Sequence, residues 1–301
     1  MLWWHDNKIQ PAIHIISNLY TSHSKSSRPD LFDMLQLHLF YVLLVSTIGL
    51  TSSTINLFKR LVTPSIKTSV LKSNLDLLQE QRYLIWPNFL DPEDILELHN
   101  DIESRYQRGE MKDAGVKGRN LDPYIGQQAS SVMTDIRKTS ICWLDYLDPK
   151  TDIENGLLMF FDAFRLQLCD ALTCELNFED TEMLYARYPE KGFYRRHSDS
   201  HVPAVGISDR DTERYISIVL YVNDHPWQEN DGGSLRMFGD EYLPWTSSID
   251  VHPVPGTLLL FFSQGLSHEV LVTSVKRYAV VCWFRIRAAQ RTQSLFAPAL
   301  L

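Results

Sequence analysis

Short apolar segments separated by turn residues fill the second half of the chain. They are rich in β-branched, aromatic and leucine side chains and lie at 183–188, 193–197, 215–222, 233–238, 257–262, 268–272 and 277–284. These residue types favour β-strands, and no helical periodicity intervenes between the segments. The pattern predicts an antiparallel sandwich or barrel of the jelly-roll type.

Helical patterns occur mainly before residue 181. Asp91 and Pro92 are suitable N-cap and first-turn residues, and Ile95, Leu98 and Ile102 follow at helical spacing. Apolar residues within 157–172 indicate a second helix, short strands are expected at 82–86 and 140–143, and the glycine-containing segment 107–131 is typical of a long, lid-like loop. The predicted fold class is therefore α+β: a double-stranded β-helix (jelly-roll) core braced by N-terminal helices.

We expect four segments along the chain. Residues 1–75 are a leader or poorly ordered N-terminal segment with a short apolar stretch at 35–50, 76–180 a helical support region, 181–288 the jelly-roll core and 289–301 a C-terminal tail. The apolar stretch is shorter than the roughly 20 residues of a membrane span, and it lies far from the N-terminus for a signal sequence. A targeting or anchoring leader, a mis-assigned start and an extra packed helix all stay open, as does a cytoplasmic or secretory location. Membrane association is expected only through this stretch.

Composition and charge narrow the class of protein. The 301 residues are 44% hydrophobic and 22% charged, which is typical of a globular chain and excludes a wholly disordered one. The formal charge of −8 argues against nucleic acid as a partner. Four irregularly spaced cysteines do not form the pattern of a disulfide framework or a paired zinc motif.

Metal-ligand chemistry is concentrated in the strand-rich half. His197 and Asp199 lie two residues apart, on one face of an extended segment and about 7 Å apart along it. His268 is the best third ligand, and two histidines with one carboxylate suit Fe(II) in non-haem oxygenases because positions stay open for substrate and O2. His201 lies about 13 Å from His197 along a straight strand, so we leave it out of the ligand set.

Arg277 follows His268 by nine residues and begins the last long strand. A guanidinium facing a metal pocket can bind the far carboxylate of a dicarboxylate through two parallel hydrogen bonds. The order His-x-Asp, His, Arg therefore suggests 2-oxoglutarate as cosubstrate.

Several motifs occur in the same order as in a known family. The segment 81–287 resembles the iron(II)/2-oxoglutarate-dependent dioxygenases of the prolyl 4-hydroxylase superfamily, more closely the hypoxia-sensing type and its bacterial relatives than the collagen-modifying type, which usually carries Lys in place of Arg277. The matching words are DIRKTSICW at 135–143, ARYP at 186–189, FYRRHSD at 193–199, LYVN at 220–223, GGSLR at 232–236, SHEV at 267–270 and RYAVVCW at 277–283.

The resemblance implies an oxidoreductase that hydroxylates a peptidyl proline of a protein or peptide substrate, using Fe(II), 2-oxoglutarate, O2 and ascorbate (vitamin C). It implies that His197, Asp199 and His268 bind iron, that Arg277 and Tyr221 hold the far carboxylate of 2-oxoglutarate, and that Tyr188 lies in the cosubstrate pocket. Three further residues match positions that line the mouth where a peptide enters: Tyr194, Arg214 and Trp283. The insert 200–213 follows no family pattern and borders that mouth.

Three alternatives stay open on the sequence. The same chemistry could act on a free amino acid or another small metabolite. The jelly-roll could be a non-catalytic binding module, with or without a structural metal. A zinc hydrolase is less favoured, because no water-activating base is evident beside the three ligands.

Overall fold

The computed structural model describes residues 68–114, 135–146, 148–200, 212–239 and 243–287. Four sequence expectations lie outside these ranges: the apolar stretch 35–50, most of the loop 107–131, His201 with most of the insert 200–213, and the tail 289–301. The chain forms two compact units, Met1–Thr63 with Asp145–Leu166, and Pro64–Leu144 with Gln167–Leu301. Every predicted site residue belongs to the second unit.

Three α-helices and twelve strands make up the described part of the chain. The helices are α1 (Thr68–Gln81), α2 (Pro92–Gln107) and α3 (Asp152–Leu172), and a short 3-10 helix covers Glu229–Asp231. The strands are β1 (Tyr83–Trp86), β2 (Lys112–Asp113), β3 (Arg137–Lys138), β4 (Ser140–Leu144), β5 (Leu176–Tyr188), β6 (Phe193–Ser198), β7 (Thr212–Tyr221), β8 (Leu235–Phe238), β9 (Ile249–Val251), β10 (Leu258–Phe262), β11 (Ser267–Val270) and β12 (Arg277–Arg287). Among the described helices, none is long and apolar enough to cross a bilayer.

The strands form two antiparallel sheets. The larger has seven strands in the order β1-β10-β7-β12-β5-β4-β2, and the smaller has five in the order β3-β6-β11-β8-β9. Both sheets contribute to one buried apolar cluster, which includes Val219 and Phe261 from the larger and Leu235 and Met237 from the smaller. This two-layered arrangement confirms the predicted jelly-roll core.

Strand register decides which side chains face the smaller sheet. On β12, Arg277 lies opposite Tyr188 of β5, and Ala279 lies opposite Tyr221 of β7. On the smaller sheet, His268 of β11 lies opposite His197 of β6. Because directly opposed residues share a face, the pairing gathers these polar groups between the two sheets.

Some elements differ from the sequence expectations. Helix α1 includes residues 68–75 of the expected leader, and Thr212 and Glu213 of the expected insert begin β7. Strands β1 and β4, from the expected helical support region, belong to the large sheet. The very short strands β2, β3 and β9 were not predicted because two or three residues carry no periodicity and pair only when a neighbouring strand is in place. The segment boundaries 76–180 and 181–288 stay predictions.

Candidate active site

The three predicted metal ligands lie together between the sheets. Ligand atoms of His197, Asp199 and His268 all lie within 4.8 Å of one another. Asp199 Oδ1 is 3.7 Å from His197 Nε2, and Asp199 Oδ2 is 3.8 Å from His268 Nε2. Two imidazoles and a carboxylate at these separations can bind one divalent ion and leave further positions of that ion open.

A β-bulge in β6 orients the first ligand. Two steps along β11, from His268 to Val270, correspond to three steps along β6, from His197 to Tyr194. A regular strand would place Tyr194 and His197 on opposite faces, whereas the bulge brings them to one face. Their rings stack with centroids 3.6 Å apart, so the tyrosine restrains the imidazole plane.

Hydrogen bonds hold two of the ligands from behind. His197 Nδ1 lies 2.8 Å from the carbonyl oxygen of Arg195, which can only accept, so Nδ1 carries the proton and Nε2 faces Asp199. Ser217 Oγ donates to Asp199 Oδ2 at 2.7 Å and lies 2.8 Å from Ser263 Oγ. Partners of this kind fix the orientation of metal ligands and tune their affinity.

Electrostatics favour the protonation states that bind a metal. Burial and the neighbouring imidazole of His268 hold the pKa of His197 below its usual range, although Asp199 opposes this shift. Burial alone would raise the pKa of Asp199, but His268, His197 and Arg214 together hold that pKa below its usual range. A neutral imidazole and an ionised carboxylate are the forms that coordinate metal ions.

A second polar group lies on the inner face of the large sheet. Arg277 is 1% exposed, and its Nε and Nη2 have no hydrogen-bond partner among the residues that the structure describes. The Tyr221 hydroxyl is also buried without a partner, and burial raises the pKa of Tyr221 to about 12, so the phenol keeps its proton. The guanidinium carbon lies 4.8 Å from the ring centre of Tyr188 and 5.0 Å from that of Tyr221.

Unpaired donors of this kind indicate an anionic ligand. A buried cation without a partner is costly, and an organic carboxylate would satisfy both the guanidinium and the phenol. These residues therefore fit the far carboxylate of 2-oxoglutarate, on the face of the larger sheet that also carries Ser217, the hydrogen-bond partner of Asp199.

A glycine pair lies beside Arg277, and Gly233 is the member that approaches it. Gly232 and Gly233 have φ of +67° and +66°, in the region that favours glycine. A Cβ on Gly233 would lie 2.9 Å from Thr273 Cβ and 3.3 Å from Arg277 Cδ. Glycine at this position lets the backbone approach the arginine stem.

The three predicted mouth residues come from both sheets: Arg214 of β7 and Trp283 of β12 belong to the larger, and Tyr194 of β6 belongs to the smaller. The Arg214 guanidinium carbon is 3.9 Å from the centre of the Trp283 ring, and Arg214 Nε donates to Glu182 at 2.7 Å. Tyr194 is the ring stacked on His197. Trp143, which is 52% exposed, lies 6.1 Å from Trp283 and extends this aromatic group.

Ser217, Ser263 and Trp143 were not among the predicted site residues. Ser217 has a detectable signal, because it is a polar residue inside the apolar run 215–222. Ser263 and Trp143 carry no comparable signal, since only the pairing of distant strands brings them to the site.

Comparison with known proteins identifies the class. A family model described as the 2OG-Fe(II) oxygenase superfamily matches residues 183–285. The structure of a Pseudomonas putida prolyl-4-hydroxylase is 32% identical with a TM-score of 0.58, over 72% of this chain and 99% of that one. A prolyl hydroxylase from Trichoplax adhaerens, in complex with a hypoxia inducible factor oxygen degradation domain peptide fragment, is 23% identical with a TM-score of 0.59, over 76% and 94%, and shares the fold.

The chain belongs to the 2OG-Fe(II) oxygenase superfamily, whose chemistry depends on Fe(II) and 2-oxoglutarate. Within that superfamily it is of the prolyl 4-hydroxylase type.

Proposed function

We propose that this protein hydroxylates a proline residue of a protein substrate at C4. One observation carries the proposal: a buried, unpaired arginine shares the inner face of the jelly-roll with a His-Asp-His group, in a chain 32% identical to a prolyl-4-hydroxylase. His197, Asp199 and His268 would hold Fe(II), and Arg277 with Tyr221 would hold the far carboxylate of 2-oxoglutarate.

The residues around the site have separable tasks in this proposal. Bound Fe(II), with 2-oxoglutarate and O2, supplies the oxidising chemistry that inserts one oxygen atom into a C–H bond while 2-oxoglutarate becomes succinate and CO2. Ser217 keeps Asp199 oriented, and the tyrosine ring of Tyr194 keeps His197 oriented. Tyr188 packs against the guanidinium of Arg277 and helps to exclude water from the cosubstrate pocket.

A peptide substrate would enter at the mouth. Tyr194, Arg214 and Trp283 offer aromatic faces and a cation beside the metal ligands, which suits a proline ring with its flanking backbone. The Trichoplax protein, which shares the fold, holds a peptide fragment. A protein substrate for this chain is consistent with that precedent.

The decisive experiment supplies the purified full chain with Fe(II), 2-oxoglutarate, O2 and ascorbate, and with a library of proline-containing peptides. We expect a peptide mass gain of one oxygen atom, 4-hydroxyproline after hydrolysis, and one succinate for each hydroxylation. His197→Ala should abolish the reaction, whereas His252→Ala, which removes an exposed imidazole bonded only to Ser234, should not. Omitting ascorbate should lower the total number of turnovers.

Other outcomes would point elsewhere. Oxygen incorporation into a free amino acid or metabolite, with every peptide unchanged, would retain the iron chemistry and reject the peptide substrate. Failure to bind Fe(II) and 2-oxoglutarate under anaerobic conditions would indicate a non-catalytic module. Full activity of His197→Ala would refute the assigned metal ligands.

A further inference from the structure

Four cations lie on one edge of the smaller sheet, on the paired strands β3 and β6. They are Arg137, Lys138, Arg195 and Arg196, and we call them the β3–β6 basic surface. Arg137 lies opposite Tyr194 and Lys138 opposite Phe193, and the backbone N–H of Arg195 donates to the carbonyl of Ile136. The four side chains therefore start from one continuous piece of sheet.

No member of this surface forms an ion pair with a carboxylate within the described ranges. Arg137 lies 4.4 Å over the ring of Tyr194, and Arg195 lies 4.7 Å over that of Phe193. Arg196 lies 4.0 Å over the ring of Phe238 and donates to Ser267 Oγ, and Lys138 Nζ donates to the carbonyl of Glu190.

Arginines elsewhere in the described part of the chain are commonly paired with carboxylates. Examples are Arg187 with Glu103, Arg214 with Glu182 and Arg236 with Asp250. Asp135 and Glu190 are close in sequence to the basic surface, yet neither carboxylate bonds any of its cations. Among the described residues, no carboxylate forms an ion pair with the cations of this surface.

The basic surface borders the candidate active site. The ring of Tyr194 has Arg137 over it and stacks on the metal-ligand candidate His197 at 3.6 Å. Arg195 and Arg196 directly precede His197 and occupy the bulge, where both side chains are exposed. A segment bound here would lie next to the residue presented to the metal.

The negative net charge of the chain limits the class of ligand that can bind the basic surface. The chain carries a formal charge of −8, so a long polyanion such as a nucleic acid would be repelled beyond this surface. A short acidic stretch of polypeptide would contact only the four cations. The side chains of Arg195 and Arg196 are exposed, and guanidinium groups can form bidentate bonds to carboxylates.

We propose that the β3–β6 basic surface docks an acidic segment of the substrate protein, adjacent to the proline to be hydroxylated. The proposal names the substrate class of the site and rests on the proposed function. Electrostatic docking of this kind selects partners and raises association rates more than it changes the chemical step.

The test compares two fluorescent peptides with the metal-loaded full chain. Both contain the same central proline; one carries Asp and Glu beside it, and the other carries Asn and Gln at the same positions. We expect the acidic peptide to bind at least tenfold more tightly at low salt, and to lose that advantage as ionic strength rises.

Charge-reversal variants locate the effect. Arg195→Glu should weaken binding of the acidic peptide at least fivefold and leave the neutral peptide little changed, and Arg195→Glu/Arg196→Glu should weaken it further. Arg108→Glu is the control, because Arg108 is also exposed but lies at the C-cap of α2, a helix whose Glu103 accepts hydrogen bonds from Arg187 and Tyr278 of the large sheet. Melting temperatures verify that each variant is folded.

The outcomes separate this proposal from the proposed function. Equal binding of both peptides, or equal losses in Arg195→Glu and Arg108→Glu, would overturn the docking surface even if proline is hydroxylated. Binding of the acidic peptide that depends on Arg195, without hydroxylation of any proline, would support the surface and refute the function. If duplex DNA or anionic vesicles bind tightly and compete with the acidic peptide, the surface binds polyanions in general, and the proposal is overturned.

Discussion

Arg277 is the residue whose surroundings are most informative. Its guanidinium is buried between Tyr188 and Tyr221, and two of its three nitrogens lack a partner. Arg285, on the same face of β12, is also buried but donates to Glu182 and to Thr212. The two arginines of β12 therefore differ in their surroundings. Arg285 is hydrogen-bonded within the fold, whereas Arg277 has donors available for a ligand.

Replacing Arg277 by glutamine should affect 2-oxoglutarate binding, whereas replacing Arg285 by glutamine should affect the free energy of unfolding. Arg277→Gln should weaken 2-oxoglutarate binding about a hundredfold, because it removes the buried cation that meets the far carboxylate. Its free energy of unfolding without cosubstrate should change little, since few bonds of Arg277 are lost. Equilibrium binding of 2-oxoglutarate and urea denaturation measure the two effects.

Arg285→Gln is the control for this prediction. It should lower the free energy of unfolding by about 2 kcal/mol, because it breaks bonds to a buried carboxylate and a backbone carbonyl, while 2-oxoglutarate affinity changes little. Unaltered cosubstrate affinity in Arg277→Gln would contradict the assigned role.

A β-bulge and a glycine turn orient the side chains of the candidate site. The bulge in β6 stacks Tyr194 on His197, and the turn before β8 brings Gly233 against Thr273 and Arg277. In both places the backbone departs from regular geometry to aim or admit a functional side chain.

Gly233→Ala should damage the molecule more than the same change at Gly265. Both glycines have positive φ, +66° and +75°, so alanine costs about 1 kcal/mol of backbone strain at either. Only at Gly233 does the added methyl meet other atoms, which should raise the loss of unfolding free energy to about 2 to 3 kcal/mol and weaken 2-oxoglutarate binding through Arg277. Urea denaturation and cosubstrate titration of both variants measure this difference; equal losses would contradict it.

The stability of the whole larger unit should respond to acid through Glu182. This carboxylate of β5 joins three neighbouring strands, because Arg214 of β7 and Arg285 of β12 both donate hydrogen bonds to it. Although burial opposes the shift, these two arginines hold the pKa of Glu182 below its ordinary value of 4.5. A carboxylate with a lowered folded-state pKa stabilises the fold above its unfolded pKa, and that stabilisation disappears as the pH falls through the folded-state pKa.

Glu182→Gln should therefore lower the free energy of unfolding at neutral pH by about 2 kcal/mol and make its decline below pH 4.5 shallower than in the parent protein. Denaturation at a series of pH values measures both quantities. Asp250→Asn is the comparison, because the Asp250 pair with Arg236 is largely exposed and should contribute little. Parallel pH profiles for the parent and Glu182→Gln would contradict the prediction.

The local pattern of residues was sufficient for the strands, for helix α2 and for the candidate ligands. Strand propensity and turn residues are properties of a few consecutive side chains, so nine of the twelve described strands could be placed with only their ends in error. His197, Asp199, His268 and Arg277 could be selected because few residue types bind a transition metal or clamp a carboxylate, and because their order matched a known family.

The remaining features of the site depend on pairing between strands that are distant in sequence, and no local sequence pattern predicts them. The stacking of Tyr194 on His197 depends on one extra residue opposite β11, and a shift of one residue reverses the face of every side chain in a strand. The bonds of Ser217 to Asp199 and Ser263, the unpaired state of Arg277 and the grouping of Arg137 with Arg195 likewise depend on which strands are neighbours. The sequence determines which residue types are present and in what order. Whether a charged side chain has a partner is decided only by the tertiary structure, because the partners are far apart in sequence.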